Sequence, residues 1–428
     1  MSEKIKKVVP NGRWLHILPP LVLVYIVAFM DRTNISFALA GGMDKDLGMT
    51  ATIAGLASGI FFFGYMFLQI PGGRLAERAS AKKFIACTIV AWGGLAALSG
   101  MAQSTSQILI IRFLLGVAEG GVWPAILTII SHWFPVHERG RANAVFMMNA
   151  PIASIITGPL SGFIVSSFSW RYVFIIEGAI AIILLFIWFP LVADHPKDAK
   201  WISKEEREYI EKALREEQIA LSGTAVARKI PLSEVLSSKL LWILCIIYGC
   251  YQAGIYGYSL WLPKIIQGVS KSGMTGIGLL STIPNIIAIF GLIYFSRKSD
   301  STMNRKKYTA LPMIGFAICL FISIQFKAGN PLASFAFIAC CGFFLYSANS
   351  VFWTIPAQVF ESDMAAQSRG IINIIGGLGS FVGPYAVGFL TTAINTSAGL
   401  YALIILLIIA FALTIVLPIE KDTGSIEA

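Results

Sequence analysis

Charge is scarce in this chain. Asp, Glu, Lys and Arg make up 13% of its 428 residues, against roughly 25% in a soluble domain, which is too little polar residue to cover a globule of that size. Alternation is missing as well. The apolar residues come in unbroken runs, such as Ile17 to Met30, Phe174 to Val192 and Leu400 to Pro418, and this excludes the alternating strands of a transmembrane β-barrel. The six cysteines lie inside apolar segments with no CxxC or Cys/His spacing. They read as small buried hydrophobes, not as disulfides or metal ligands. No small-residue cleavage site follows the first apolar run, so that run is expected to stay as a membrane helix. No nucleotide-binding loop, nucleophile elbow or metal-ligand cluster occurs, which speaks against an ATP-driven pump, a hydrolase, a metal or an organic cofactor.

What is present is oil. Hydrophobic residues make up 56% of the chain and its mean hydropathy is +0.73. A hydrocarbon layer of about 30 Å takes about 20 helical residues to cross. Twelve such segments are expected, at 17–40, 52–73, 84–101, 108–130, 143–166, 171–192, 240–262, 275–296, 309–326, 332–356, 370–393 and 398–418. The fold class is an all-α polytopic membrane protein. The formal charge of +10 does not point to nucleic acid, because the basic residues lie between the apolar runs, where they set topology. Alternate connections hold Lys4, Lys6, Lys7 and Arg13, then Arg74, Arg78, Lys82 and Lys83, then Arg139 and Arg141, and later Arg297, Lys298, Arg305, Lys306 and Lys307. The others hold only Lys45, Lys264, Lys271 and Lys327. Basic loops stay inside, so a multi-pass protein of the cytoplasmic (inner) membrane with both termini cytoplasmic is expected.

Between the sixth and seventh runs the composition turns polar. Ser203-Lys-Glu-Glu206 reads as a capping box that opens an amphipathic surface helix, EREYIEKALREEQ. The segment reads as a solvated tether on the cytoplasmic face, with a regulatory patch as the alternative. It divides the chain into 1–193, a linker at 194–239, and 240–428. The flanking halves echo each other. Glu77 precedes Lys82 by five residues, as Asp300 precedes Arg305. Glu77 and Asp300 are 223 positions apart, Asn149 and Asn373 are 224 apart, and the Gly158-Pro159 and Gly383-Pro384 pairs are 225 apart. This supports two parallel six-helix repeats, an arrangement used by transporters.

With these residues in hand, the chain resembles the major facilitator superfamily. The superfamily's cytoplasmic motif, Gly-x-x-x-Asp-Arg-x-Gly-Arg-Lys, stands here in degenerate form from Gly73 through Glu77-Arg78 to Lys82-Lys83. Within the superfamily it is similar to the anion:cation symporters. The matching pieces are Asp31-Arg32, Tyr65 with Gln69-Ile-Pro-Gly-Gly73, Arg112-x6-Glu119-Gly120, Trp133-Phe-Pro-x-x-Glu138-Arg139-Gly-Arg-Ala142, and Trp170-Arg171 with Glu177-Gly178. The resemblance implies the major facilitator fold, twelve transmembrane helices in two six-helix bundles. It also implies uptake of organic anions such as sugar acids, tartrate or aromatic carboxylates, usually coupled to protons. The proton is then the coupling ion, and the expected partners are an organic anion and the bilayer, for a protein acting as a monomer. Gly73, Glu77, Arg78, Lys82, Asp300 and Arg305 would form the conformational motif.

Ionisable groups inside a bilayer are expensive and are functional candidates by default. Arg112 and Glu119 are seven apart, on one helix face two turns from each other. Arg32 is expected to bind the substrate carboxylate through its planar fork, and Asp31 and Glu119 to carry protons. Anion on Arg32 would change the proton affinity of its neighbours, and that is coupling. The alternative is that Asp31-Arg32 and Arg112-Glu119 are ion pairs that only fix helix packing, and for Arg112 this reading stands level with that of a second anion ligand. Tyr65 and Gln69, at i and i+4, would reach the substrate, as would Asn149 and Asn373 at related positions of the two halves. Their alternative is polar bonding between helices. The stripes Ser154, Gly158, Gly162 and Gly376, Gly379, Gly383 suit close packing and a rocking interface. Trp123, Trp261, Phe352 and Trp353 would line a cavity or face lipid, and His132 and His137 sit too near the surface for a proton relay. A drug/proton exporter or an organic-acid sensor on the same scaffold are the competing functions.

Overall fold

In the computed structural model, residues 11–223, 230–326, 329–360 and 362–418 are described. Among the described residues, twelve helices are long and apolar enough to cross a membrane. The first six are α1 (Gly12–Asp46), α2 (Ala51–Arg78), α3 (Ala81–Met101), α4 (Thr105–Trp133), α5 (Val136–Ser167) and α6 (Trp170–Leu191). The linker helix is α7 (Lys204–Gly223). The last six are α8 (Lys239–Gln267), α9 (Met274–Thr302), α10 (Arg305–Phe326), α11 (Pro331–Val359), α12 (Gln367–Ala393) and α13 (Thr396–Val416).

The turns between spans carry the residues that start helices. Thr50, Ser80, Ser104, Ser169, Ser238, Asn330 and Asn395 each accept a backbone N–H of the helix they precede, satisfying a donor that lipid could not. Several helices outrun the apolar runs. α5 begins at Val136 and α9 continues to Thr302, because the charged turns at Glu138–Arg141 and Arg297–Asp300 extend the helix past the hydrocarbon. Near the end of α1, Gly42 takes φ +103°, a backbone state that side-chain-bearing residues rarely adopt.

One hydrophobic cluster runs from Ile17 to Ile210 and another from Ile230 to Leu417, so each set of six helices has its own core. The sets meet along two seams, α2 against α12 and α5 against α9. Both seams are lined by glycine. A methyl on Gly55 would stand 2.5 Å from the carbonyl oxygen of Pro384, and one on Gly158 would stand 2.6 Å from that of Gly278. The two small-residue stripes therefore differ in role. Gly158 and Gly162 pack across the halves, whereas Gly379 and Gly383 pack on Gly249 and Ala253 of α8 within the second half. At the α2–α12 seam the glycine counterparts of the first stripe are Gly55, Gly59 and Gly388.

Polar contacts join the halves at the end away from the described termini. Lys264 pairs with Asp44, the Thr52 N–H donates to Thr392 Oγ1 at 2.9 Å, Ser166 and Thr275 share a 2.7 Å bond, and Gln267 donates to the Ala40 carbonyl. At the opposite end the motif residues bond inside their own halves or to the linker. Arg305 pairs with Asp300 and donates to Ser299. Lys82 does not mirror this with Glu77. Its ammonium donates to the Phe189 carbonyl, and its backbone N–H to Asp194, which also accepts from Ser80. Asp194, from the linker, thus sits at the N-terminus of α3, where a negative charge is favoured. Glu77 and Arg78 remain exposed, and Gly73 lies against Pro124.

The linker is more than a solvated tether. Ser203 caps α7 by accepting the Glu206 N–H, as the capping box requires. The Glu206 carboxylate does not reach back, however. It accepts from the backbone N–H groups of Gly12 and Arg13 and from the Arg13 guanidinium at 2.8 Å, while the other side of Arg13 grips Glu138. Arg13, expected as an exposed topogenic charge, is 1% exposed. Lys4, Lys6, Lys7 and Lys327 lie outside the described residues.

Candidate functional site

Five ionisable residues are buried in the middle of the first six helices: Asp31 and Arg32 on α1, Arg112 and Glu119 on α4, and Glu177 on α6. Glycine brings α4 and α2 together. A Cβ on Gly116 would stand 2.0 Å from the Phe61 carbonyl oxygen, and one on Gly120 would stand 2.2 Å from that of Tyr65. Without side chains there, α4 lies flat on α2 and its Arg112–Glu119 face reaches α1.

Arg32 Nε donates to Glu119 Oε2 at 2.9 Å, and Nη1 donates to the Tyr25 hydroxyl at 3.2 Å. The guanidinium lies 4.7 Å from the centre of the Tyr65 ring and 5.0 Å from that of Tyr25. An arginine held between aromatic faces is compensated by their π-electrons without using up its N–H donors. Nη2 makes no hydrogen bond among the described residues. The second half contributes Tyr256, on α8, which packs on Phe62 and interacts with the Arg32 guanidinium. Sequence reasoning missed Tyr256. Its only signal is the dense run of tyrosines, 248, 251, 256 and 258, three of which serve the core or its edge.

Arg112 is placed differently from Arg32. Its Nη1 and Nη2 donate to the backbone carbonyls of Asp31 and Arg32, at 3.0 and 3.3 Å. Of the two readings open from the sequence, this geometry is the packing one, with main-chain carbonyls in place of a carboxylate. The Asp31 carboxylate faces Glu119 on one side and on the other accepts Asn34 Nδ2 at 3.0 Å. Asn34 also donates to Glu177 at 3.0 Å, and Glu177 accepts Ser161 Oγ at 2.9 Å. Glu177, present in the sequence only as part of a motif, therefore belongs to the buried cluster. Its partner in sequence could not be read, because Ser161 and Asn34 lie on two other helices.

The remaining expected residues are dispersed. Tyr65 is part of the site. Gln69 lies one turn further along α2, half-buried. Asn149 is buried and donates to its own helix at the Phe146 carbonyl, and Asn373 is half-buried. Trp261 donates to the Pro384 carbonyl at 3.1 Å, tying α8 to α12 within the second half. Phe352 stacks on Tyr248 in the second core, with Trp353 edge-on to the same ring. Trp123 packs edge-on to Tyr25. His132 stacks on His195 and bonds to the Asp194 carbonyl at the termini-side surface. A cavity of ≈780 Å³ opens there, lined by Arg139, Lys197, Arg207 and Glu217 among others, and one of ≈540 Å³ opens at the opposite end beside Asp44 and Lys264. Arg32 lines neither.

Comparison with known proteins bears on this arrangement. The sequence model of the Major Facilitator Superfamily matches residues 21–384 and 275–427. The chain is 32% identical over 408 residues to a quinolone resistance transporter of Acinetobacter baumannii, covering 93% of this chain and 92% of that protein. It is also 32% identical over 410 residues to a putative tartrate transporter of Agrobacterium vitis, covering 94% and 89%. Among solved structures, a bacterial homolog of the human lysosomal transporter Spinster, in an inward-facing and occupied conformation, superposes with a TM-score of 0.75 at 16% identity, covering 95% of this chain and 97% of that one.

Proposed function

The chain belongs to the major facilitator superfamily of transporters, and from that premise we propose that it takes up a small organic carboxylate together with protons by alternating access. The observation that carries this reading is the state of Arg32. It is a buried cation, clasped by tyrosines, tied to one carboxylate through Nε alone and left with Nη2 free. A substrate carboxylate would take the free edge of the fork, and charge-assisted hydrogen bonds of this kind contribute about 1.5–3 kcal/mol each.

Coupling follows from competition for one guanidinium. With Glu119 ionised, Arg32 is already paired. A proton on Glu119 removes that rival and frees Arg32 for the anion. Loss of the proton returns Glu119 to Arg32 and expels the substrate. Asp31, facing Glu119, accepts or passes the proton. Arg112 holds the α1 backbone in place while this happens. Tyr65 and Tyr256 would contact the substrate from α2 and α8, so binding spans both halves and senses their angle. Gln69, Asn149 and Asn373 are kept as outer substrate contacts.

The contacts at the Asp44–Lys264 end support a conformation closed on that side and open toward the termini. The exposed bases Arg74, Arg78, Lys83, Arg297 and Lys298 favour the termini side as the cytoplasm, in the inner membrane, and Gly73, Glu77, Arg78, Lys82, Asp300 and Arg305 lie where a cytoplasmic gate would close. A second reading is export of a drug, suggested by the quinolone resistance relative. Quinolones carry a ring carboxylate, so the same arginine suits either cargo.

Uptake into proteoliposomes separates these readings. Tartrate, a hexuronate and an aromatic acid would be offered with and without an inward proton gradient. Gradient-dependent accumulation of at least one acid is expected. No uptake of any acid, together with quinolone resistance on overexpression, would overturn the reading in favour of export.

A further inference from the structure

Glu177 is used by nothing in the transport scheme above, yet it is 1% exposed in the middle of α6. Among the described residues, no arginine or lysine pairs with it. From α1 it meets Asp31 and Asn34, and from α5 it meets Ser161. On α3, the residues packed on the neighbouring Gly178 are the uncharged Gly93, Ala96 and Ala97. On its own helix, the nearest cation, Arg171, is engaged with Asp46. An ionised carboxylate there would face a second carboxylate with one neutral amide between them. Two hydroxyl and amide donors do not neutralise a charge in a low-dielectric interior.

Charge counting gives the same answer. The buried cluster holds two cations, Arg32 and Arg112, and three acids, Asp31, Glu119 and Glu177. With every group ionised it is one negative charge in excess, and one proton balances it. Asn34 adds an independent sign. Its Nδ2 serves both carboxylates, while its Oδ1, on a residue 0% exposed, has no donor. A protonated carboxyl is a donor, and turning the amide would offer it Oδ1.

We infer that Glu177 is a proton-binding site, linked through Asn34 to Asp31 and so to the Glu119–Arg32 pair. The step is protonation of one carboxylate, with no bond broken elsewhere. The cluster is neutral with this proton alone, and a substrate monoanion on Arg32 then calls for a second proton at Asp31 or Glu119. Only this consequence rests on the transport reading. The proton site itself can be observed without substrate.

The test is infrared difference spectroscopy of the full chain in liposomes, stepping between acid and alkaline pH and watching the C=O stretch of protonated carboxyls. The wild type should show a protonated-carboxyl band that is lost on alkalinisation, and Glu177→Gln should lack that band. Glu177→Asp should keep it at a displaced frequency, which shows that the effect is not general misfolding. A Glu177→Gln spectrum identical to wild type overturns the inference. So does loss of the band when sodium is added at constant pH, which would make the site one for a metal cation. Uptake assays failing while the band behaves as expected would sink the transport reading alone.

Discussion

Arg112 holds the backbone that carries Arg32. Its two terminal nitrogens donate to the carbonyls of Asp31 and Arg32 at 3.0 and 3.3 Å, so in the proposed scheme Arg112 positions and Arg32 binds. Substituting each by lysine should separate these roles. Arg32→Lys replaces a planar fork by a point charge and should raise the KM for uptake about 10- to 100-fold, for a loss of about 1.5–3 kcal/mol. Arg112→Lys should instead lower the thermal midpoint of the purified protein and reduce kcat, with a smaller change in KM. Equal KM effects in proteoliposome kinetics would reject the division.

Glu119 is expected to answer to the proton gradient. A one-unit pH gradient is worth about 1.4 kcal/mol, or about tenfold accumulation per coupled proton. Glu119→Gln cannot release a proton, so gradient-driven accumulation should fall to the equilibrium level while substrate counterflow persists. Retained gradient dependence in this variant would remove Glu119 from the coupling path.

The α2–α4 contact should tolerate no side chain at Gly116. Its added methyl would meet the Phe61 backbone oxygen at 2.0 Å, whereas one at Gly94 meets nothing within 4 Å. Gly116→Ala should cost about 1–3 kcal/mol of stability and move Glu119 away from Arg32. Gly94→Ala should be neutral or slightly stabilising. Thermal unfolding of both, followed by uptake, checks the contrast.

Breaking Asp44–Lys264 should loosen one end of the molecule. The pair is partly exposed, at 20% and 23% of the side chains, so its contribution is about 0–1 kcal/mol. In a background lacking the exposed thiols Cys87 and Cys340, Thr391→Cys should react with an impermeant maleimide about 2- to 5-fold faster when Lys264→Gln is added. An unchanged rate would mean that the glycine seams alone keep this end shut.

Arg13 clamps the linker helix to the first half through Glu138 and Glu206. Removing one member of a buried ion pair costs about 3–5 kcal/mol. Arg13→Ala should therefore lower the thermal midpoint and expose α7 to limited proteolysis. A helix that stays as resistant as in wild type would return it to the role of a tether.

The twelve spans, the helical class and the charged positions were legible in the sequence for a simple reason. Lipid imposes its demand on each segment separately, so hydropathy, run length and a lone Asp31-Arg32 in oil can be read locally. The 3.6-residue period likewise put Arg112 and Glu119 on one face. Tertiary packing decided everything that depends on which helix lies opposite. Arg112 found two main-chain carbonyls, a partner that no sequence pattern encodes. Lys82 took Phe189 from α6 and Asp194 from the linker in place of Glu77 five residues away. Glu206 left its own capping box for Arg13, 193 residues earlier. Glu177 became part of the charge cluster only because Asn34 and Ser161 converge on it from two other helices. Buried polar groups must be satisfied wherever a donor or acceptor stands in space, and that is set by helix crossings that glycine permits, not by neighbours in the chain.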